Sequence, residues 1–239
     1  MSPPELDLRL GGFEAADQQI EEAFWHAIGI ELDMLTPLAE HHTPDGTTSF
    51  YVLHNGAATW GIPGEPQLVA LHLRRDLKAQ TFRFDHTELP LPALAQSWLI
   101  HRGCPPEAIG LTPGMGPAPA DEATQALERR LARDGDHYAL GYSHTRDDPD
   151  DPVILVALRA LDERAPLPFR IVVEELDTDA CTYTLREGGF ATVGEALQWC
   201  ADRLCGEARS LPPVKPAAPS THSAPMPKTS APHPPGRGR

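Results

Sequence analysis

The feature that most constrains this chain is a near-repeat of its own sequence. Residues 76–104 set against residues 177–205, at a constant offset of 101 and without a gap, give seven identities: Asp76/Asp177, Ala79/Ala180, Thr81/Thr182, Ala95/Ala196, Trp98/Trp199, Arg102/Arg203 and Cys104/Cys205. Ordinary composition gives about two identities over such a length. The chain has four Trp, and two of them fall at equivalent places. A sequence that repeats at this distance points to two similar structural units in one chain.

The local patterns give both units the same order of elements. In the first, Phe13, Ala16, Ile20, Phe24 and Ala27 recur at helical spacing with acids between them, which predicts an amphipathic helix over 13–27. A short helical stretch over 31–40 is compromised by Pro37. Residues 50–54 and 57–61 read as strands around the turn pair Asn55-Gly56. Strands over 67–74 and 80–86 follow, then a helix over 92–101 that stops at Gly103. In the second unit a helix over 121–133 precedes strands at 137–144, 153–160, 168–176 and 181–187, and a helix over 192–204 closes it. The acidic run from Asp147 to Pro152 is the turn between the first two of these strands.

The expected fold is therefore α+β, with two similar halves from internal duplication. Each half has a helix, about four mostly antiparallel strands and a helix. The halves cover 1–104 and 121–208, joined by a Pro/Gly-rich linker over 105–120. Trp98 and Trp199, on the closing helices three residues after an Ala, are expected to anchor the two cores. Residues 209–239 carry nine Pro in 31 positions and no apolar periodicity. Such a segment buries too little surface to offset its ordering entropy, so a disordered basic tail is expected.

Charge is distributed unevenly along the chain. Residues 1–105 hold 14 acids and 6 bases, residues 106–208 hold 20 acids and 9 bases, and residues 209–239 hold five bases and no acid. The body is thus near −19 and the tail +5. A duplex nucleic acid or an anionic membrane needs clustered Lys and Arg, which the body lacks, so neither is an expected partner. The longest apolar run, residues 153–158, is far below the roughly 20 residues a bilayer span requires. The first residues lack a signal-peptide pattern. Cys104, Cys181, Cys200 and Cys205 form no C-x-x-C pair and read as reduced thiols of a cytoplasmic protein.

Catalytic motifs are sparse. Gly114-Met-Gly116 lacks the preceding strand of a dinucleotide loop, and the prolines after it would break the receiving helix. Gly141-Tyr-Ser143-His144 lacks the second Gly of a nucleophile elbow. Asp147, Asp148, Asp150 and Asp151 lack the spacing of a calcium loop. Asp85, His86 and Glu88 read as polar groups at a strand end. His41, His42, Asp45 and His54 are the candidate metal ligands, and a metal-assisted hydrolase using them is one alternative function. An acidic nucleic-acid mimic is another. Trp60 sits where a strand meets a Gly/Pro loop, a common place for a binding anchor. The reading carried forward is a non-enzymatic acidic protein–protein interaction module. It expects no cofactor, a partner of basic character and Trp60 at the contact.

Overall fold

The computed structural model of the chain describes residues 5–214. The first half contains β1 (Glu14–Ala15), α1 (Gln18–Phe24), β2 (Leu35–His42), β3 (Thr48–Asn55), α2 (Ala58–Gly61), β4 (Leu68–Asp76), β5 (Thr81–Leu89) and α3 (Pro92–Ile100). The second contains β6 (Ala118–Pro119), α4 (Glu122–Asp134), β7 (Tyr138–Arg146), β8 (Val153–Ala160), β9 (Phe169–Asp177), β10 (Thr182–Phe190) and α5 (Val193–Leu204). Both halves form a five-stranded mixed sheet, in the orders β1-β5-β4-β3-β2 and β6-β10-β9-β8-β7. β1 and β6 run parallel to β5 and β10, and all other pairs are antiparallel. The chain is α+β, but each sheet has five strands where about four were expected. β1 and β6 are two residues long, too short to carry an alternating pattern.

Three assignments in the first half are corrected: the hairpin at 55–56, the helical stretch over 31–40 and the extent of the helix over 13–27. The expected hairpin at Asn55-Gly56 does not form. The Asn55 backbone pairs with Leu35 and donates to the Gln67 carbonyl, and its side-chain oxygen accepts from Ala57 N. The chain then enters the single helical turn α2 in place of a strand. The strand sequence reasoning lacked is β2, which lies at the edge of the sheet. Pro37 is accepted there because an edge strand has amides to spare, and the register shifts between Pro37 and Ala39. The first helix is also shorter than its pattern. Asp17 caps it by accepting from Ile20 N, and after Phe24 the chain widens into a π turn through Gly29.

Each sheet is covered on both faces. In the first half, α1 and the segment around Leu8 cover Tyr51, Leu53, Leu71 and Leu73 on one face. α3 covers Phe50, Val52 and Ala70 on the other with Ala95 and Leu99. In the second half, Leu127 and Leu131 of α4 lie over Val156, Val172 and Leu185, while Ala196 and Cys200 of α5 lie over Leu155, Ile171 and Val173. α3 packs directly on α4, and its Leu91 and Leu94 enter the core of the second half. Contact is close there: a Cβ on Gly135 would meet Ser97 Oγ at 2.8 Å.

Trp98 and Trp199 are both half-buried at the border of their helix–sheet clusters. They were expected to be mostly buried core anchors; they pack at the edge of the clusters instead, because the neighbouring Ala95 and Ala196 take the deepest positions. Trp98 is stacked by the Arg102 guanidinium at 3.4 Å, and Trp199 Nε1 donates to the Arg209 carbonyl at 2.9 Å. Residues beyond that carbonyl stay attached to the second half. Leu211 packs beside Gly188, and Gly189 N donates to the Pro212 carbonyl. The first six residues assigned to the tail therefore lie on the fold, and residues 215–239 are outside the described part.

Candidate functional site

Sequence reasoning named five residues, and the structure separates them. His41 and His42 are adjacent on β2 and so point to opposite faces. His41 stacks on Phe50, whereas His42 bonds Ser49 Oγ at 2.8 Å and meets the edge of Tyr51. The carboxylate of Asp45 is spent on the turn, accepting from Thr43 Oγ1 and from Thr47 N and Oγ1. His54 stands at the far end of β3, about 20 Å along the strand from that turn. These four residues do not converge, and no group of three metal-binding side chains occurs among the described residues. Burial pushes the thiols of Cys104 and Cys200 up to about 12 and about 11, away from nucleophile chemistry.

Trp60 lies on the helical turn α2 rather than on the expected strand over 57–61, and is 73% exposed. It is not alone. The π turn before β2 presents Trp25, 60% exposed, and Ile30 and Leu32 are also exposed. The two segments are stitched together at one end of the first sheet. Gly56 N donates to the Met34 carbonyl at 3.1 Å, and Asn55 Nδ2 donates to the Glu31 carboxylate. Ile62, just beyond α2, is also exposed. Glu21, Glu22, Glu31, Asp33 and Glu65 flank these residues in the chain. Exposed large apolar side chains with acidic neighbours are a common ingredient of protein contact surfaces.

A second feature was missed altogether: a cavity of about 1090 Å³ between the halves. The first half contributes Leu38, His54 and Leu68, α3 contributes Gln96 and Ile100, and the linker passes across it with Pro113 and Pro117. The opposite wall is the α4 face of the second sheet. Thr145, Ile154, Glu174 and Leu185 form one lateral row across β7, β8, β9 and β10. Leu176 and Tyr183 form the next row on that face. Glu128 of α4 also lines the cavity. Glu174 is half-buried in the cavity wall, and its carboxyl is pushed up to about 7 by desolvation and by the Glu128 charge. Burial and the same two carboxylates push the Tyr183 hydroxyl upward as well.

The corresponding place in the first half is filled with hydrocarbon. The offset of 101 sets Leu73, Phe82 and Phe84 against Glu174, Tyr183 and Leu185. Both helices before these sheets have an Asp N-cap, Asp17 and Asp121, and seven residues on stand Phe24 and Glu128. Phe24 packs edge-on against Phe82 and Phe84 at 5.0 and 5.1 Å, closing the first site. Arg75 also bonds the carbonyls of Leu8 and Arg9, holding the first segment over the sheet, where the second half has Leu176. Extending the repeat three residues upstream of Asp76 shows Leu73 facing a glutamate, and that was the available signal.

Compared with known proteins, the chain matches no family model, no curated protein and no solved structure. The geometry of its surfaces is the ground on which function is argued.

Proposed function

We propose that the chain is a non-enzymatic protein–protein interaction module that docks through the end of its first sheet. The observation carrying this is the exposure of Trp25 and Trp60 on two hydrogen-bonded segments. Large aromatics dominate interface energetics because they bury much area with few rotors to fix. The acidic neighbours favour a partner with an apolar centre and basic edges. A cytoplasmic setting belongs to the same proposal. It is supported by four free cysteines, of which Cys181 and Cys205 are exposed, and by the lack of a helix long and apolar enough to cross a membrane among the described residues.

The test is quantitative capture from native lysate by the immobilised full chain, with Trp25→Ala/Trp60→Ala in parallel. Both side chains face solvent, so the double variant should keep its melting temperature. Loss of the captured partner, together with weakening in high salt, supports the reading. Undiminished capture by the double variant sinks it.

We also infer that the halves arose by internal duplication. The shared strand order supports this, as do the equivalent turns in which Asp76 accepts from Ala79 N and Asp177 from Ala180 N. Exchanging residues 76–81 for 177–182 should leave folding intact. A large loss of stability would count against common descent of the two turns.

A further inference from the structure

We propose that the cavity between the halves binds an amphipathic organic cation: an ammonium on an apolar body, seated with its charge at Glu174 and Glu128. Its volume, about 1090 Å³, is that of a small-molecule site, and its walls are mostly apolar. Apolar walls alone would suit any greasy ligand. The charge preference comes from two carboxylates in the cavity wall. Glu174 and Glu128 enter no ion pair and accept no hydrogen bond from an amide or guanidinium among the described residues. Their polar neighbour is the Tyr183 hydroxyl. Such carboxylates lack compensation in the free protein, and an ammonium group would supply it with short charge-assisted hydrogen bonds.

Thr145 gives an independent indication. It is 4% exposed, lies in the same lateral row as Glu174 and lines the cavity, yet its Oγ1 has no hydrogen-bond partner. A buried hydroxyl left unsatisfied costs free energy, and Thr145 stands two strands from Glu174 with Ile154 between them, so it marks a second unsatisfied polar position in the same wall rather than a third partner of the ammonium. The first half shows what the fold does when nothing is to be bound. Phe24, Phe82, Phe84 and Leu73 close the equivalent place, and in the second half three of these four positions carry Glu128, Tyr183 and Glu174. Arg129 and Arg133 line the cavity but are exposed, at its rim, and Arg146 is held by Asp151 and by the Leu204 carbonyl. Of the charged groups lining the cavity, Glu174 and Glu128 are half-buried and unpaired among the described residues, while these guanidiniums are exposed or already held.

The experiment is calorimetric titration of the full chain with octylamine below its micelle concentration, against octanoate and octanol as chain-length controls. Octylamine should bind with one-to-one stoichiometry and at least about tenfold more tightly than either control. Glu174→Gln and Glu128→Gln, which keep side-chain volume, should each weaken octylamine about tenfold. Glu122→Gln, on the exposed side of α4, should not change it. Equal affinity for all three probes, no octylamine binding, or an equal effect of Glu122→Gln would overturn the proposal. Melting temperatures of the variants guard against loss of fold.

Discussion

Gln80 and Cys181 hold the same backbone conformation, φ +52°, at the residue just before the last long strand of each sheet. Both are non-glycine residues in the left-handed region, which costs an L side chain of order 1 kcal/mol. Both close the turn that the Asp four residues before them caps, Asp76 and Asp177. Gln80→Gly and Cys181→Gly should therefore each raise stability, by about 0.5–1 kcal/mol, with unfolded-state entropy offsetting part of the gain. Chemical denaturation checks this, and a loss in either variant would show that the side chain matters more than the turn.

Glu174 gives stability a dependence on pH. Its folded carboxyl titrates near 7 against an ordinary value of 4.5, so the folded chain binds the extra proton between those values. Stability must then fall as pH rises from about 4.5 through about 7, and stay low above. Glu128 and Tyr183 face it, and the other titratable and charged groups lining the same cavity are His54, Glu107, Asp147, Arg129, Arg133 and Arg146. Glu174→Gln should match wild type near pH 4 and exceed it at pH 8 by about 1–3 kcal/mol, the upper figure being the undiscounted shift. Parallel curves for the two proteins would remove Glu174 as the cause.

Gly64 ties the loop after α2 to the second half. Its carbonyl accepts from Thr145 N at 3.1 Å, its φ is +94°, and a Cβ there would fall 2.5 Å from His144 Nδ1. Gly64→Ala should cost about 1–3 kcal/mol. In a His144→Ala background the collision is gone and only the backbone strain remains, so the penalty should shrink. A double-mutant cycle without coupling would contradict this.

Leu211 decides where the fold ends. A chain stopped at Arg209 loses the Leu211 contact with Gly188 and the Pro212 carbonyl bond, whereas one stopped at Val214 keeps both. The shorter chain should melt several degrees lower, in line with about 1–2 kcal/mol for a partly buried Leu and one hydrogen bond. Identical melting would place the boundary back at Arg209.

The second sheet was legible because its strands are long, rich in β-branched and aromatic residues, and separated by turns that carry Asp. β8 occupies the range its pattern predicts, residues 153–160. β2 was hidden by Pro37, whose tolerance depends on an edge position that only the assembled sheet defines. Asn55-Gly56 misled because the Asn55 side chain and backbone are committed to Glu31, Ala57 and Leu35. Trp60 was singled out from its loop context and is exposed, but Trp25 was read into no helix face, since the π turn that exposes it has no local signature. The cavity was invisible for a different reason. Glu174 and Glu175 are neighbours, and which of them faces inward depends on register.

The irregularities at Pro37/Ala39 in β2 and at Leu140/Tyr142 in β7 fall on the outer strand of each sheet. Those strands carry the unpaired amides and carbonyls to which a strand of another molecule would add. A proline without an amide and a break in register interrupt that row in the first sheet, and a break alone does so in the second. The opposite borders are occupied by the two-residue strands β1 and β6. Neither sheet offers a long, flat template, so the fold resists edge-to-edge growth into fibres and leaves association to side-chain surfaces.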